Sequence, residues 1–196
     1  MIAIIDYDTG NLRSVCNALD RLGADYVVTD DPSRIIAADR VLLPGVGEAS
    51  SAMAKLQDRG LAEVIRSLKV PVLGICIGMQ LMCRHSQEGD VDCLGIFDAD
   101  VSRFQADPSA GVKVPHMGWN MLQGLQTPLF DGIKDGDFVY FVHSFAADVC
   151  QDTIAVSDNG RKFSAAMCKD NFYGAQFHPE KSGEVGERIL RNFMNL

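Results

Sequence analysis

The sequence lacks any cluster of basic side chains. Its 18 Lys and Arg residues are scattered among 26 Asp and Glu residues, which gives a formal net charge of −8. Binding to nucleic acid or to an anionic membrane surface requires a basic stripe, so we expect neither kind of partner. A hydrophobic fraction of 47% and a length of 196 residues suit one globular domain, residues 1–196.

Long apolar runs and regular cysteine spacing are also missing. No run approaches the length of a transmembrane helix, and the start, M-I-A-I-I-D, reaches a charge too early for the apolar core of a signal peptide. The six cysteines form no C-x-x-C pair, which argues against a disulfide framework and against a zinc site. We therefore expect a cytoplasmic protein without a metal or a cofactor.

The first 85 residues alternate between apolar strand patterns and helical patterns. Strands are predicted at residues 2–5, 26–29, 40–43 and 70–75. Helices are predicted after Asn11, from Pro32 and over 48–69 with an interruption at Gly60. Later strand patterns lie at residues 101–104, 117–122, 138–142, 153–156, 163–167 and 172–177, and a closing helix lies at 184–194. The sequence therefore predicts an α/β fold, with an open, mostly parallel central sheet, helices on both faces and additional antiparallel strands.

One cysteine lies between two glycines in the stretch V-L-G-I-C-I-G-M-Q-L-M at 72–82. The pattern Gly74-Ile-Cys76-Ile-Gly78 is typical of a strand-to-helix elbow, where glycine avoids a clash around a strained nucleophile. We expect the glycines to leave room for a substrate and the helix N-terminus to favour the thiolate. The N–H of Ile77 would face a developing oxyanion. A buried structural cysteine is the alternative interpretation.

A thiol nucleophile needs a base and a group that orients the base. His178 lies in Q-F-H-P-E, where Pro179 favours an extended conformation that would place Glu180 beside the imidazole ring. The prediction is a triad of Cys76, His178 and Glu180, and a surface histidine in a turn is the alternative. His143 in Y-F-V-H-S-F is the second candidate base, although it has no carboxylate within two residues.

Glycines also mark the end of the third predicted strand, in P-G-V-G at 44–47. Gly45, Val46 and Gly47 would let the backbone approach a ligand and supply a second oxyanion donor. A simple turn is the alternative.

The motifs G-I-C-I-G-M-Q and Q-F-H-P-E resemble those of the class I (triad) glutamine amidotransferases, whose fold is flavodoxin-like. Within that family, further stretches resemble the glutaminase subunits of imidazole glycerol phosphate synthases: D-Y-D-T-G-N-L-R-S-V, L-P-G-V-G, P-H-M-G-W-N, Y-F-V-H-S-F and Q-F-H-P-E-K-S. The resemblance covers nearly the whole chain. It implies that Cys76 forms a thioester with glutamine and releases ammonia, while His178 relays protons and Glu180 orients it. It also implies an oxyanion hole at Ile77 and Gly45–Gly47.

The same resemblance implies a substrate site and a partner. Glutamine would be held by Gln80 and by the backbone of His143, Ser144 and Phe145. The partner would be a cyclase subunit, a (β/α)₈ barrel that forms a heterodimer with this chain and uses the ammonia to make imidazole glycerol phosphate and an aminoimidazole carboxamide ribotide in L-histidine biosynthesis. The expected interface residues are Asn11, His116, Met117, Gly118, Trp119, Asn120 and Lys181. Trp119 would be the anchor, and a core aromatic is the alternative for it.

Three other functions share parts of this pattern. An amidotransferase that supplies a different synthase, such as one in a surface-sugar pathway, would keep every catalytic residue. A cysteine hydrolase of the same fold would work without a partner. A non-catalytic binding module would keep the fold, but the intact Cys76, His178 and Glu180 argue against it.

Overall fold

The computed structural model describes residues 1–8 and 12–196, so Asn11, a predicted interface residue, lies outside the described residues. Within these ranges the strands, in chain order, are β1 (Ile2–Ile5), β2 (Tyr26–Thr29), β3 (Arg40–Gly45), β4 (Val72–Cys76), β5 (His85–Ser86), β6 (Val91–Asp92), β7 (Asp100–Arg103), β8 (His116–Met121), β9 (Phe138–His143), β10 (Phe145–Ala147), β11 (Thr153–Asp158), β12 (Lys162–Lys169) and β13 (Phe172–Ala175). The helices are α1 (Leu12–Arg21), α2 (Pro32–Ile36), α3 (Ala49–Asp58), α4 (Leu61–Ser67), α5 (Ile77–Leu81) and α6 (Gly183–Asn195). Short 3₁₀ turns lie at Pro108–Ala110, Pro128–Phe130 and Pro179–Lys181.

A seven-stranded sheet forms the centre of the described structure, in the order β11-β12-β13-β4-β3-β1-β2. The strands from β13 to β2 are mutually parallel, whereas β11 and β12 are antiparallel to their neighbours. Every residue of β1 and β4 is buried, as expected where helices cover both faces of a parallel sheet. The predicted α/β fold with a mostly parallel central sheet is confirmed.

The strand order explains where the helices lie. The chain moves from β1 outward to β2 through α1, then returns past β1 to β3 and continues to β4. Because such crossovers are right-handed, this reversal places α1 on one face and the helices of the return path on the other. An ion pair between Arg21 Nε and Glu187 Oε1, 2.8 Å apart, joins α1 to α6. The predicted interruption at Gly60, which has a φ of +66°, separates α3 from α4.

Two smaller sheets flank the central one. One has the order β10-β7-β5-β6, and the other is the antiparallel pair β8-β9, in which Trp119 lies opposite Tyr140. The carboxyl ends of β3, β4 and β13 meet at one edge of the central sheet, and this is where open α/β sheets bind their ligands. No helix among the described residues is long and apolar enough to span a membrane.

Candidate active site

Cys76 lies at the turn between β4 and α5. It is the last residue of the strand, and α5 begins at Ile77. Its φ of 54° and ψ of −109° are unusual for a residue with a side chain. Strained conformations of this kind cluster at functional sites, so the backbone supports the elbow predicted from the sequence. The helix α5 has only five residues, and its expected effect on the thiolate stays a prediction.

The two elbow glycines allow the helix to pack on the sheet. A Cβ atom at Gly78 would overlap the carbonyl oxygen of Leu43 in β3, and one at Gly74 would lie 2.5 Å from Met82 Cε. Neither glycine lines the cavity beside Cys76. The expectation that they leave room for the substrate is therefore wrong, because the clearance that they provide lies between the elbow helix and strands β3 and β4.

His178 and Glu180 form a buried pair. His178 Nδ1 lies 2.8 Å from Glu180 Oε1, and the two side chains are 3% and 2% exposed. The His178 N–H donates a backbone hydrogen bond to the carbonyl oxygen of Tyr140 (2.9 Å), which fixes the segment to β9. His178 is extended as predicted, but Pro179 starts a 3₁₀ turn that brings Glu180 back toward the ring. The predicted neighbours therefore meet through a turn rather than along an extended chain.

The environment of His178 favours its charged form. Burial opposes a charge on the ring, but the contacts with Cys76 and Glu180 outweigh burial and raise the pKa of His178 to about 9. With Nδ1 directed at Glu180, the buried Nε2 atom is left for the sulfur of Cys76, and it has no other hydrogen-bond partner among the described residues. This arrangement can deliver a proton from Nε2 to a group that leaves from the Cys76 side.

His143, the second candidate base, uses both ring nitrogens within the chain. Its Nδ1 donates to the carbonyl oxygen of Phe145 (2.7 Å), and its Nε2 lies 3.0 Å from Nδ1 of His116. Burial lowers the pKa of His143 to about 3 and that of His116 to about 4. A neutral ring with both nitrogens occupied has no free site for the proton of Cys76, so the geometry favours His178 as the base.

A cavity of about 340 Å³ opens beside Cys76. Its lining consists of Val46, Gly47, Cys76, Ile77, Gln80, Glu88, Pro115, Val142, His143, Ser144, Phe145, His178 and Lys181. The structure thus brings the predicted nucleophile and base together with most of the residues predicted to hold the oxyanion and glutamine. Glu180 lies behind His178 and outside this lining. Among the described residues, no group of three or more His, Cys, Asp or Glu side chains is arranged to hold a metal ion.

The predicted oxyanion loop has a fixed end and an open end. Gly45 pairs with Cys76 in the sheet, and a Cβ there would lie 2.5 Å from the Tyr7 hydroxyl. Gly45 is therefore held in place and lines a separate small cavity, not the one beside Cys76. Gly47 is exposed and has a φ of +100°. Conformational freedom in this loop is confined to the Val46–Gly47 end, because the sheet and Tyr7 restrain Gly45.

Comparison with known proteins identifies the family. The family model for glutamine amidotransferase class-I matches residues 3–196. The imidazole glycerol phosphate synthase subunit HisH of Bacteroides thetaiotaomicron is 55% identical over 100% of this chain and 99% of that protein. HisH of Idiomarina loihiensis is 48% identical over 100% and 97%. The chain belongs to the HisH family of class-I glutamine amidotransferases.

Solved structures agree with this HisH-family assignment at the level of the fold. A crystal structure described as a glutamine amidotransferase has a TM-score of 0.76 at 16% identity, covering 100% of this chain and 98% of that one. A glutamine amidotransferase from Thermotoga maritima has a TM-score of 0.63 at 18% identity, covering 99% and 82%. The class-I architecture is thus shared with proteins of very different sequence.

The P-H-M-G-W-N segment of this HisH-family chain forms strand β8, whose side chains alternate between two environments. Met117 and Trp119 are 62% and 56% exposed, which contradicts the core-aromatic alternative for Trp119. His116 is buried against His143, and Asn120 Nδ2 is directed at His116 Nε2 (3.1 Å) and the Asp158 carbonyl oxygen (2.7 Å). The side chains of His116 and Asn120 are thus directed into the chain and not outward with Met117 and Trp119, because successive residues of a strand face opposite sides. A place for them at an interface stays a prediction.

Two further predicted interface positions, Gly118 and Lys181, are at least partly accessible. Gly118 is half-buried in β8, and Lys181 is exposed and borders the cavity. Ser144 is half-buried and lines the cavity between β9 and β10.

Sequence reasoning missed two polar residues near Cys76. Glu88 lines the cavity, where burial raises the pKa of its carboxyl and its Oε2 accepts a hydrogen bond from the Ala49 N–H (3.1 Å). Gln176 is fully buried, and its Nε2 lies 3.7 Å from the sulfur of Cys76. Glu88 lies in a polar loop without a motif, whereas Gln176 stands two residues before His178 and could have been found as a polar residue at the end of an apolar strand.

Proposed function

We propose that this chain hydrolyses the side-chain amide of L-glutamine and passes the ammonia to the cyclase subunit of an imidazole glycerol phosphate synthase. The observation that carries the proposal is the buried His178–Glu180 pair, 2.8 Å apart, beside a cysteine held in a strand-to-helix elbow. The similarity to HisH proteins over the whole chain supports the choice of acceptor.

In the first half of the proposed reaction, the Cys76 thiol gives its proton to Nε2 of His178, and the resulting thiolate attacks the side-chain amide carbon of glutamine. A C–S bond forms, and the carbonyl electrons move to the oxygen, which is stabilised by the Ile77 N–H and by backbone donors of the Val46–Gly47 loop. The imidazolium of His178 then gives its Nε2 proton to the amide nitrogen. The C–N bond breaks, ammonia leaves, and a thioester remains. Glu180 holds Nδ1 throughout, which keeps Nε2 directed at the reacting atoms.

In the second half, water attacks the thioester. Neutral His178 takes a proton from the water as its oxygen bonds to the carbonyl carbon, and the C–S bond then breaks to release glutamate and the sulfur of Cys76. Gln80 and the segment from His143 to Phe145 line the same cavity as His178 and are proposed to hold the glutamine. The cycle returns the proton to His178, so the site is ready for another amide.

An exposed apolar face supports the docking of a partner beside this cavity. Met117, Trp119 and Met121 lie on the outer face of β8, and Phe138 on β9, opposite Met121, is 50% exposed. The face continues along β9 to Val142, which lines the cavity. Apolar patches of this kind mark interaction surfaces, and a hydrolase that works alone would have no use for one. We propose that the (β/α)₈ cyclase docks here as a heterodimer, with Trp119 as an anchor and Lys181 at the rim.

The compartment and the domain organisation are part of the same proposal. All six cysteines are free thiols, which supports a reducing cytoplasm. One hydrophobic cluster includes residues from Ile2 to Phe193, which supports a single amidotransferase domain over 1–196.

The deciding experiment is Cys76→Ala, assayed in complex with the cyclase. Glutamine-dependent synthesis should be lost, while synthesis from added ammonia should persist because the acceptor site lies on the other subunit. Cys168→Ala is the matched control, since Cys168 is half-buried on β12, opposite Tyr173, and does not line the cavity beside Cys76. A glutamine-like electrophile should label Cys76 alone, as read by mass spectrometry of the peptides.

Two results would contradict different parts of the proposal. If Cys76→Ala keeps its glutaminase activity, the nucleophile is wrong. If the chain purified from its own cells carries a different synthase as its partner, the acceptor is wrong while the glutaminase chemistry stands.

A further inference from the structure

Gln176 stands next to the nucleophile because of the register of the central sheet. Strand β13 runs parallel to β4, with Ala175 opposite Ile75, so the next residue on each strand is Gln176 and Cys76. Gln176 is fully buried at the end of an apolar strand. A buried amide without hydrogen bonds is destabilising, so the partners of this side chain show what holds it there.

Those partners fix the direction of the amide. The carbonyl oxygen of Phe145 can only accept, so Gln80 must direct its Nε2 toward it (2.9 Å). The same Nε2 donates to Oε1 of Gln176 (2.9 Å). The remaining end of the Gln176 amide, Nε2, therefore faces Cys76 Sγ at 3.7 Å. A single backbone carbonyl thus determines that the sulfur meets a donor and not an acceptor.

We propose that Gln176 is a further catalytic residue, whose amide N–H donates a hydrogen bond to Cys76 Sγ, with Gln80 and the Phe145 carbonyl as positioning groups. The proposal rests on the glutaminase reaction described above. The donor favours negative charge on sulfur before attack. It acts again when water has added to the thioester, the C–S bond breaks and its electron pair returns to the sulfur. The amide gives up no proton in either step.

Hydrogen bonds to a charged group contribute more to stability than hydrogen bonds between neutral groups, so the donor should favour the thiolate over the thiol. Replacing Gln176 by Met keeps the length and removes both the donor and the acceptor. We expect alkylation of Cys76 by iodoacetamide near neutral pH to slow about tenfold, and the midpoint of its pH profile to rise by about one unit. Gln176→Glu keeps an acceptor for Gln80 but places an anionic oxygen at the sulfur, so it should slow alkylation more than Met does.

Other ionisable groups near the thiol stay unchanged in these variants: His178, Glu180, Glu88, Lys181 and His143. Cys168 is an internal control, because its alkylation in the same sample should not respond to either substitution. Iodoacetamide requires no glutamine turnover, so this test can fail while the proposed glutaminase reaction stands.

Wild-type alkylation kinetics and pH profile in folded Gln176→Met would overturn the proposal. Should that variant not fold, the native chain offers a second measurement. The side-chain ¹⁵NH₂ signals of Gln176 should shift when Cys76 is alkylated or replaced by Ala, and unchanged signals would also overturn the proposal.

Discussion

Replacing His116 by Asn should make the stability of the protein less sensitive to acid. His116 and His143 are 8% and 7% exposed, and burial lowers their pKa values to about 4 and about 3 from an ordinary value of 6.5. A histidine of this kind contributes stability above its unfolded pKa and loses that contribution as the pH falls. At about pH 5 the unfolded chain binds protons that the folded chain does not. The stability lost per histidine is RT ln(1 + 10^1.5), where about 1.5 is the difference between the unfolded pKa and pH 5. This is roughly 2 kcal/mol for each histidine and about 4 kcal/mol for the pair.

Urea unfolding at about pH 7.5 and about pH 5 measures this loss. Asn at position 116 can still donate toward His143, but it does not titrate. We expect the free energy of unfolding to drop between the two pH values by about 2 kcal/mol less in the variant than in the wild type. The contribution of His178 to stability has the opposite pH dependence. Because its pKa is raised on folding, that contribution is complete below pH 6.5 and is lost as the pH rises through about 9. That contribution cancels between the two proteins.

If the free energy of unfolding dropped by the same amount in the two proteins, this reasoning would be refuted. His116 would then be already protonated in the folded state or have an ordinary pKa there. The control is the interval from about pH 7.5 to about pH 8.5, where neither His116 nor His143 titrates. The free energy of unfolding should change by the same amount in both proteins over this interval.

Three further predictions concern the triad, the elbow and the docking face. His178→Asn should lower glutamine turnover by about 10²–10⁴-fold, and Glu180→Gln should be milder because Glu180 orients without taking the proton; a reversed order in steady-state assays would contradict these roles. Gly78→Ala should prevent stable folding, since its Cβ would overlap a strand carbonyl, whereas Gly23→Ala, with open space around it, should cost only about 1 kcal/mol in thermal unfolding. Trp119→Ala should weaken cyclase binding by about 2 kcal/mol or more in titration calorimetry, and unchanged affinity would remove Trp119 as the anchor.

Local patterns predicted the parallel half of the fold well. The boundaries of β1 and β2 match those expected from the sequence, because short apolar runs bounded by polar and glycine residues determine buried strands locally. The pairing of β5, β6, β7 and β10 was not predictable. Those strands have two to four residues each, and their register depends on contacts made across long stretches of chain.

The site shows the same limit. Cys76, His178 and Glu180 could be proposed as a triad because each belongs to a motif with a chemical reason for its spacing. Gln176 was missed because its position beside Cys76 depends on the register between two strands a hundred residues apart in sequence. The inward direction of the His116 side chain was not predicted, because a motif read as a continuous segment hides the alternation of a strand.

The strand pair β8-β9 is a sheet of its own, outside the seven strands that carry Cys76. Apart from Val142, which lines the cavity, the residues of its outer face lie away from Cys76 and can therefore change without disturbing the nucleophile, provided that the inner face keeps His116 and His143 packed and the Phe145 carbonyl in place. If the cyclase docks on this face as proposed, ammonia production and the choice of recipient are separately mutable traits of one chain. A graft of the outward residues of β8 and of Phe138 and Tyr140 from one amidotransferase onto another would then redirect the nitrogen to a new acceptor enzyme.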